Sequence, residues 1–236
     1  MTQATAEARP AVSDAAVSAP PVPADRPPID PYPLSPYVAW AGNRNKDPIL
    51  EVFKAIFPAE GEALELASGA GLHVNHFAPH FPKVRFQPSD YDPDVFASIA
   101  AKRAAAGNSN VADPLRIDLT DAATFPDPAE RLFDAVFVIN IFQVAPVAIA
   151  DGIARLAAKV LKPDGFLAIY GPFKVGGGYT TPSNAAFDQE ILAAGVPEWG
   201  LKDVADLERA AAPHGIVLKE RISLPANNFV LKFGRA

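Results

Sequence analysis

Glu-Leu-Ala-Ser-Gly-Ala-Gly, residues 65–71, is the stretch that decides the fold of this chain. An apolar run over residues 63–67 leads into a turn with glycines at positions 69 and 71, and a helix-like segment begins near Leu72. Glycine permits backbone conformations and close approaches that a Cβ atom would block. A strand that ends in a glycine-rich turn and opens a helix is typical of sites that hold a nucleotide-like ligand.

Strand and helix patterns alternate on both sides of this turn. Strands are predicted at 62–67, 84–89, 115–118, 133–140 and 166–170, and helices at 72–81, 93–106 and 146–161. An earlier helix is expected to begin with Asp47 as its N-cap and Pro48 as its first residue. Residues 162–165, Lys-Pro-Asp-Gly, predict a turn before the fifth strand.

The alternation loosens after residue 170. Helices are predicted at 183–194 and 202–212, followed by strands at 216–224 and 228–233. The short connection between these two strands suits an antiparallel pair. The whole order predicts a Rossmann-like α/β fold, with a doubly wound, seven-stranded, mostly parallel sheet and an antiparallel C-terminal hairpin.

Composition limits the possible partners. The 236 residues, 49% of them hydrophobic, suffice for a single domain, which we expect at 37–236 after a disordered Ala/Pro-rich tail at 1–36. A net charge of −6 argues against a nucleic-acid partner, and the lack of cysteine excludes disulfides and thiolate ligands. No apolar run approaches the ~20 residues of a membrane span, and no signal-peptide pattern is present. We therefore expect a cytoplasmic protein without a membrane partner, either a monomer or a homodimer.

Polar residues and glycines follow the predicted strands, where ligands of open α/β sheets bind. The candidates at these strand ends are Ser68, Gly69, Gly71, Asp90, Asp118, Asn140 and Ile141. Asp90 lies about 20 residues beyond the glycines, a spacing that places an acid on a ribose hydroxyl pair, although a turn acid is the alternative. Asp92 is more typical of a helix cap before Pro93. Asp118 could equally bind an adenine amine or belong to a surface turn.

Glu65 indicates which class of nucleotide-like ligand the turn binds. A dinucleotide fingerprint would place a third glycine at position 74, where this chain has Val74. A carboxylate beside the turn also disfavours a pyrophosphate but suits a cationic ligand. S-adenosylmethionine carries an ammonium and a sulfonium and no phosphate, so we expect it as the cofactor, with S-adenosylhomocysteine as the product.

The glycine turn resembles motif I of class I S-adenosylmethionine-dependent methyltransferases, with Ala67 in place of the first glycine. Over roughly residues 35–234 the chain is similar to the methyltransferase-like protein 26 family (domain of unknown function 938). The stretches that carry this similarity are 44–46, 48–50, 67–69, 87–90, 133–137, 170–172, 183–188, 197–200 and 225–228. The resemblance implies the class I methyltransferase fold and methyl transfer to a small-molecule acceptor, without naming the acceptor.

The resemblance also extends the candidate site. The predicted cofactor-binding residues are Arg44, Asn45, Glu65, Ala67, Ser68, Gly69, Gly71, Asp90, Tyr91, Asp118, Leu119, Asn140 and Ile141. The predicted substrate-binding residues are Gln143, Tyr170, Phe173, Tyr179, Asn184 and Asn228. Arg44 could pair with a ligand carboxylate, and Gly176-Gly-Gly178 makes a mobile lid plausible.

Catalysis is expected to rely on proximity and orientation, with no dedicated base. Tyr170, Tyr179 and Asp188 are weak candidates if the acceptor must lose a proton. Members of the family often have histidine where this chain has Gln143, and glutamine is no base. Two alternatives stay open: a non-catalytic protein that binds S-adenosylmethionine, and an NAD(P)-dependent oxidoreductase.

Other residues favour structural roles. Histidines at 73, 76 and 80 share one helix face, but surface or capping roles are more common for such histidines than metal binding, so no metal is expected. Trp199 is expected to pack against neighbouring side chains.

Overall fold

The computed structural model describes residues 23–236. Its strands are β1 (Gly61–Leu66), β2 (Val84–Asp90), β3 (Leu115–Arg116), β4 (Phe133–Ile139), β5 (Leu161–Gly171), β6 (Ile216–Leu224) and β7 (Asn228–Arg235). Its α-helices are α1 (Pro36–Ile56), α2 (Leu72–Phe77), α3 (Phe96–Ala106), α4 (Ile149–Val160), α5 (Pro182–Leu192) and α6 (Val204–Ala211). Short 3₁₀ turns lie at Ala78–His80, Pro93–Val95, Ala122–Thr124, Phe142–Val144, Ala212–His214 and Pro225–Asn227.

Within residues 23–236 the strands form one seven-stranded sheet in the order β3-β2-β1-β4-β5-β7-β6. Strands β1 to β5 are parallel to one another, and β7 pairs antiparallel with both β5 and β6. The predicted doubly wound sheet and its antiparallel C-terminal hairpin are therefore confirmed. The carboxyl ends of β1 to β5 lie along one edge, where the predicted site residues follow.

A separate hydrophobic core covers each face of the sheet. Side chains of β4 alternate between them: Ala135 and Phe137 belong to one cluster, and Val136 and Val138 to the other. Helix α1 packs on the first face, where Phe53 is 1% exposed and its ring centroid lies 5.3 Å from that of Phe137. Helix α4 covers the opposite face. Burial on both sides explains the nearly unbroken apolar sequence of β4.

The first helix begins twelve residues earlier than the sequence predicted. Ser35, not Asp47, is its N-cap, and the Ser35 hydroxyl accepts a hydrogen bond from the Val38 amide at 3.1 Å. Pro48 lies inside the helix. A proline removes one helical hydrogen bond and does not always end a helix. Because Ser35-Pro36 is a second cap-and-proline pair of the same type, the sequence offered two starts, and the structure uses the earlier one.

Strand β5 is longer than predicted and absorbs the expected turn. Phe133 pairs with Leu161 while Ala135 pairs with Phe166, so residues 162–165 form a bulge opposite one residue of β4. That residue, Asp134, accepts from the Lys162 ammonium at 2.8 Å and from the Glu62 amide at 2.8 Å. The Lys-Pro-Asp-Gly sequence therefore bends the strand without ending it.

Residues 1–22 of the predicted tail lie outside the described residues. Residues 23–35, also expected in that tail, contact the rest of the protein, and Arg26 forms an ion pair with Glu190 of α5. None of the helices in residues 23–236 combines the length and hydropathy that a membrane crossing requires.

Gly152 in α4 lets the loop after β3 approach the helix closely, because it has no Cβ. We predict that Gly152→Ala destabilises the fold. A Cβ at this position would lie 1.9 Å from the carbonyl oxygen of Leu119, so the helix or the loop must shift. The expected loss in free energy of unfolding is about 2 kcal/mol or more, measured by urea denaturation.

Gly42→Ala is the matched control, since Gly42 also lies within a helix. Its Cβ would meet the flexible side chain of Leu72 at 3.3 Å and the His73 ring at 3.6 Å, the second an ordinary contact distance. The gain in helix propensity, up to about 1 kcal/mol, should offset that contact. Equal losses in the two variants would contradict this account of Gly152.

Candidate functional site

The glycine-rich turn after β1 is built from left-handed backbone. Ala67, Gly69 and Gly71 have φ angles of 50, 52 and 74°. At Gly71 a Cβ would lie 2.9 Å from the Cα of Ile99, so only glycine fits between the turn and α3. Ala67 adopts the left-handed region despite its Cβ, which costs about 1–2 kcal/mol. The turn thus keeps, at Ala67, a conformation that glycine adopts more readily.

Hydrogen bonds tie this turn to the end of β2. The Ser68 amide donates to the Ser89 carbonyl at 2.8 Å, and the Ser89 amide donates to the Ser68 hydroxyl at 3.1 Å. The Ser89 hydroxyl donates to the Glu65 carbonyl at 2.7 Å. Ser89 was not among the predicted site residues, because a serine inside a strand has no distinctive pattern. Its contacts bring the carboxyl ends of β1 and β2 together.

Asp90 closes the turn from the end of β2. One carboxylate oxygen accepts from the Gly69 amide at 2.8 Å, and the other accepts from the Asp92 amide at 3.1 Å. Burial raises the pKa of Asp90, while these two amides and that of Tyr91 oppose the rise. Each carboxylate oxygen can accept more than one hydrogen bond, so Asp90 keeps acceptor capacity while it shapes the turn.

Glu65 is a buried carboxyl group at the base of the turn. It is 2% exposed, and its Oε2 atom has no hydrogen-bond partner among residues 23–236. Burial raises its pKa to about 8, and the nearby Asp90 adds to the rise, although Ser68 and the Val74 backbone oppose it. Near neutral pH the group is mostly protonated, and a cation placed beside it would favour its ionised form.

A second cluster joins α2, α1, β5 and β7. His73 donates from Nε2 to the side-chain oxygen of Asn45 at 2.7 Å, and burial lowers the His73 pKa to about 3, so its ring is neutral. Burial raises the pKa of Tyr170 to about 12, opposed by hydrogen bonds with Asn228 and Asn45. Three predicted site residues thus meet here. The Tyr170 phenol stays protonated at neutral pH and serves as a hydrogen-bond donor.

A third cluster surrounds Asp188 of α5, which is fully buried. Its carboxylate accepts from the Tyr179 hydroxyl at 2.7 Å, the Leu201 amide at 2.6 Å and the Lys174 ammonium at 2.9 Å. Burial pushes the pKa of Asp188 upward, but the hydrogen bonds outweigh it and hold the pKa below its ordinary value. Asp188 therefore clamps α5 to the segments before and after it.

Tyr179 and Asp188, both predicted as weak catalytic candidates, are partners in this clamp. The hydrogen bond to Asp188 raises the pKa of Tyr179, which disfavours a phenolate. Lys174 was not predicted, because no motif marks a lone lysine between Phe173 and Val175.

The carboxyl end of β4 places Asn140 and Gln143 side by side. Asn140 has a φ of 56°, another left-handed residue at the sheet edge. The Gln143 side-chain amide donates to the Asn140 carbonyl at 3.0 Å. The Gln143 Oε1 atom is buried without a hydrogen-bond partner among the described residues, so it can accept from a ligand.

The other predicted cofactor residues differ in their surroundings. Asp118 accepts from the amide and hydroxyl of Thr120 at 2.9 and 2.7 Å, and these bonds lower its pKa. Leu119 contacts α4 through its backbone. Tyr91 is 66% exposed beside Asp90, and the Arg44 guanidinium lies 4.9 Å from the centroid of the Trp40 ring.

The predicted substrate residues Phe173 and Asn184 are also occupied by internal contacts. Phe173 is fully buried in the core and lies 6.1 Å from Phe142, so we assign it to packing. The Asn184 amide donates to the Thr180 hydroxyl at 3.0 Å and to the Asn227 carbonyl at 3.2 Å. Aromatic and amide residues after a strand fit both roles, and sequence alone does not separate them.

Residues 23–35 run beside the glycine turn and α5. Arg26 donates to the carboxylate of Glu190 at 2.5 and 2.8 Å, and the Trp40 indole donates to Asp25 at 3.1 Å. A Cβ at Gly69 would lie 3.4 Å from Cβ of Pro33, so this segment covers one side of the turn.

The helical histidines interact with neighbouring side chains. His76 lies 2.8 Å from the carboxylate of Asp47, and His73 bonds to Asn45. Across residues 23–236, no group of three or more His, Asp or Glu side chains is arranged to hold a metal ion.

Glu65 should make the stability of the unliganded protein fall as pH rises. With a folded pKa of about 8, the folded chain keeps a proton that the unfolded chain loses above its ordinary carboxyl pKa. The stabilising effect is complete at low pH and is lost as pH rises through about 8, at up to ~1.4 kcal/mol per unit. Urea unfolding of Glu65→Gln should lack this slope. Glu62→Gln, on the same strand, should retain it, and parallel profiles for wild type and Glu65→Gln would contradict the prediction.

Asp188→Asn should cost about 3 kcal/mol of unfolding free energy at neutral pH, because it leaves a half-buried lysine without its carboxylate. Since the folded pKa of Asp188 is lowered, its contribution is present above the ordinary carboxyl pKa and lost as pH falls through the folded value. Urea denaturation at neutral and at acidic pH measures the cost of the substitution and its loss on acidification. Glu51→Gln, which breaks the exposed pair with Lys54, should cost less than ~1 kcal/mol. A similar cost for both variants would argue against the clamp.

Solved structures of methyltransferases share this fold. CalO1, a methyltransferase in calicheamicin biosynthesis solved with SAH bound, is 16% identical, with a TM-score of 0.69 over 85% of this chain and 56% of that chain. An O-methyltransferase family protein from Burkholderia thailandensis is 16% identical, with a TM-score of 0.69 over 85% of this chain and 60% of that one. An O-methyltransferase family 2 protein from Planctomyces limnophilus, in complex with apigenin, is 15% identical, with a TM-score of 0.66 over 85% of this chain and 61% of that one.

At these identities the likeness establishes a shared fold, and the chain spans little more than half the length of each of these proteins. A family model described as "protein of unknown function (DUF938)" matches residues 36–235. The DUF938 part of the sequence resemblance is thereby confirmed, while the narrower methyltransferase-like protein 26 assignment stays a prediction. Because the match covers most of the sequence, this chain belongs to the DUF938 family.

Proposed function

We propose that this chain binds S-adenosylmethionine and transfers its methyl group to an N, O or S atom of a small molecule. The observation that carries the proposal is Glu65, whose buried Oε2 atom has no partner among residues 23–236 and lies at the base of the glycine turn. Support comes from the methyltransferases that share the fold, one of them with SAH bound.

The residues at the site fit a cationic adenosyl ligand. Glu65 and Asp90 are acidic, and both are buried where β1 and β2 end. A phosphate-bearing dinucleotide would bring more negative charge to this pair, which disfavours the oxidoreductase alternative. When bound, S-adenosylmethionine would supply a methyl group already activated by its sulfonium.

Each strand end is given one part of the ligand. Glu65 would meet the ammonium group, and the turn at 67–71 would lie along the ligand's body. Asp90 would accept from the ribose hydroxyls with its remaining lone pairs, and the exposed Tyr91 ring would cover the adenine.

Asp118 and Leu119 would line the adenine from the β3 loop, and Asn140 and Ile141 would lie toward the sulfur. Arg44 and Asn45 of α1 would complete the cofactor site.

Orientation and exclusion of water would supply most of the rate. The raised pKa values of Tyr170 and Tyr179 disfavour both phenols as bases. Asp188 is engaged by three donors in the clamp. The acceptor would lie between α5 and the end of β4, near Gln143, while Tyr170 and Asn228 stay predicted substrate-binding residues at the end of β5. A non-catalytic protein that binds S-adenosylmethionine is the alternative, and it would bind without transfer.

Isothermal titration calorimetry tests the cofactor assignment. S-Adenosylhomocysteine should bind the wild type, and Glu65→Gln should weaken it by about tenfold or more, since a charged partner of the ammonium is lost. 5′-Methylthioadenosine lacks the ammonium, so its affinity should be the same for wild type and variant. Glu62→Gln is the control on the same strand and should change neither affinity.

Failure of well-folded protein to bind S-adenosylhomocysteine would refute the proposal. Transfer of a labelled methyl group should then be measured across a panel of small phenols, amines and thiols. Binding without transfer to any member of the panel would favour the non-catalytic alternative.

A further inference from the structure

A pocket of about 280 Å³ lies between α5 and residues 196–202. Its walls include Val147, Lys174, Asp188, Leu192, Trp199 and Lys202. Ligand pockets of this kind combine apolar walls with a few polar groups that fix orientation. A volume just below the usual range for drug-sized ligands suits a molecule with a single aromatic ring.

Lys202 is a pocket lysine without an ion pair among residues 23–236. Burial lowers its pKa, and the nearby carboxylates of Asp188, Glu198 and Asp206 oppose that shift. Its ammonium donates to the backbone carbonyls of Glu198 and Gly200, the latter at 2.9 Å. No carboxylate among residues 23–236 lies within 4.0 Å of it, whereas Lys174 in the same pocket is paired with Asp188. An ammonium has three donors, so one N–H of Lys202 remains for a ligand.

The other charges of the pocket have partners of their own or face solvent. Asp188 is held by Lys174, Tyr179 and the Leu201 amide. Asp206 forms an ion pair with Arg209. Glu198 is exposed, so water screens its carboxylate. A ligand carboxylate would therefore meet the ammonium of Lys202 without displacing an existing ion pair.

The opposite wall is apolar and partly open to solvent. Val147 is 38% exposed and Leu192 is 45% exposed, although both are large apolar side chains. Trp199 is half-buried and lines the same pocket. Flat aromatic rings pack well against such a surface.

The pocket adjoins the proposed methyl-transfer site. The Gly200 amide donates to the Gln143 carbonyl at 2.9 Å, and the Gln143 side chain donates to the Asn140 carbonyl at 3.0 Å. Two hydrogen bonds thus connect the pocket wall to the carboxyl end of β4. We propose that this pocket binds a monocyclic aromatic carboxylic acid as the methyl acceptor, with the carboxylate on Lys202 and the ring on Trp199. This inference rests on the proposed function.

Binding to the full chain without cofactor tests the pocket. The probes are 4-hydroxybenzoate, its neutral methyl ester and the cation tyramine, followed through the indole N–H signal of Trp199 in ¹H–¹⁵N spectra. The chain has two tryptophans, so Trp199→Phe assigns this signal. We expect saturable binding of 4-hydroxybenzoate, about tenfold tighter than its ester, and weaker binding of tyramine.

Lys202→Gln should remove the preference for the acid over the ester, and Lys202→Arg should retain it, because arginine keeps the charge. The arginine variant also keeps the test valid if Lys202→Gln unfolds. Lys219→Gln, at an exposed residue of β6, should leave both affinities unchanged. The inference is overturned if the acid binds no tighter than the ester, if the Trp199 signal does not move, or if tyramine binds most tightly.

A separate titration with S-adenosylhomocysteine distinguishes this inference from the proposed function. Cofactor binding without binding of 4-hydroxybenzoate would overturn the pocket assignment and leave the proposed function intact. Binding of 4-hydroxybenzoate without cofactor binding would refute the acceptor role together with the proposed function. With both bound, labelled methyl should appear on 4-hydroxybenzoate or on another single-ring acid, and absence of transfer to all such acids would contradict the acceptor role.

Discussion

The hydrogen bonds between the glycine turn and the end of β2 are the contacts on which the candidate site depends. They hold Ser68 and Gly69 against Ser89 and Asp90, and the left-handed backbone at Gly71 leads directly into α2. The same arrangement encloses the Glu65 side chain. A buried acid without a partner is costly in a folded protein, and such groups concentrate at functional sites. The unpartnered Glu65 carboxyl group lies where the ammonium of the proposed cofactor would bind.

Much of the fold followed from sequence pattern because the sheet is covered on both faces. Long apolar runs such as that of β4 are unambiguous, and the glycine turn fixes where the first strand ends. The start of α1 was mispredicted because Pro48 has the local signature of a helix start, while packing of α1 on Phe77 and Phe137 sustains a helix through it. At β5 the predicted turn exists as a bulge, since Asp134 holds it in the strand.

The parts of the site that are set by the ends of strands could be predicted from the sequence. Residues of the turn, Asp90 and Asn140 follow strand ends, and strand ends are visible in a sequence. Contacts between side chains could not be predicted in this way. Tyr179 and Asp188 have groups that could take part in proton transfer, but both interact with each other and with Lys174 and hold α5 in place. Phe173 was predicted as a substrate-binding residue, whereas its ring is fully buried. Residues 23–35 show no hydrophobic periodicity, yet the ion pair of Arg26 with Glu190 places them beside the site.

The central claim is that the Glu65 carboxyl group is protonated in the unliganded protein and ionises when a cationic cofactor binds. Calorimetric binding of S-adenosylhomocysteine at about pH 6.5, in two buffers with different ionisation enthalpies, measures the proton exchange directly. Because the pKa of Glu65 is about 8 before binding, the wild type should release close to one proton per ligand bound, and Glu65→Gln should release none. Equal proton release by both proteins, or none by the wild type, would contradict the claim.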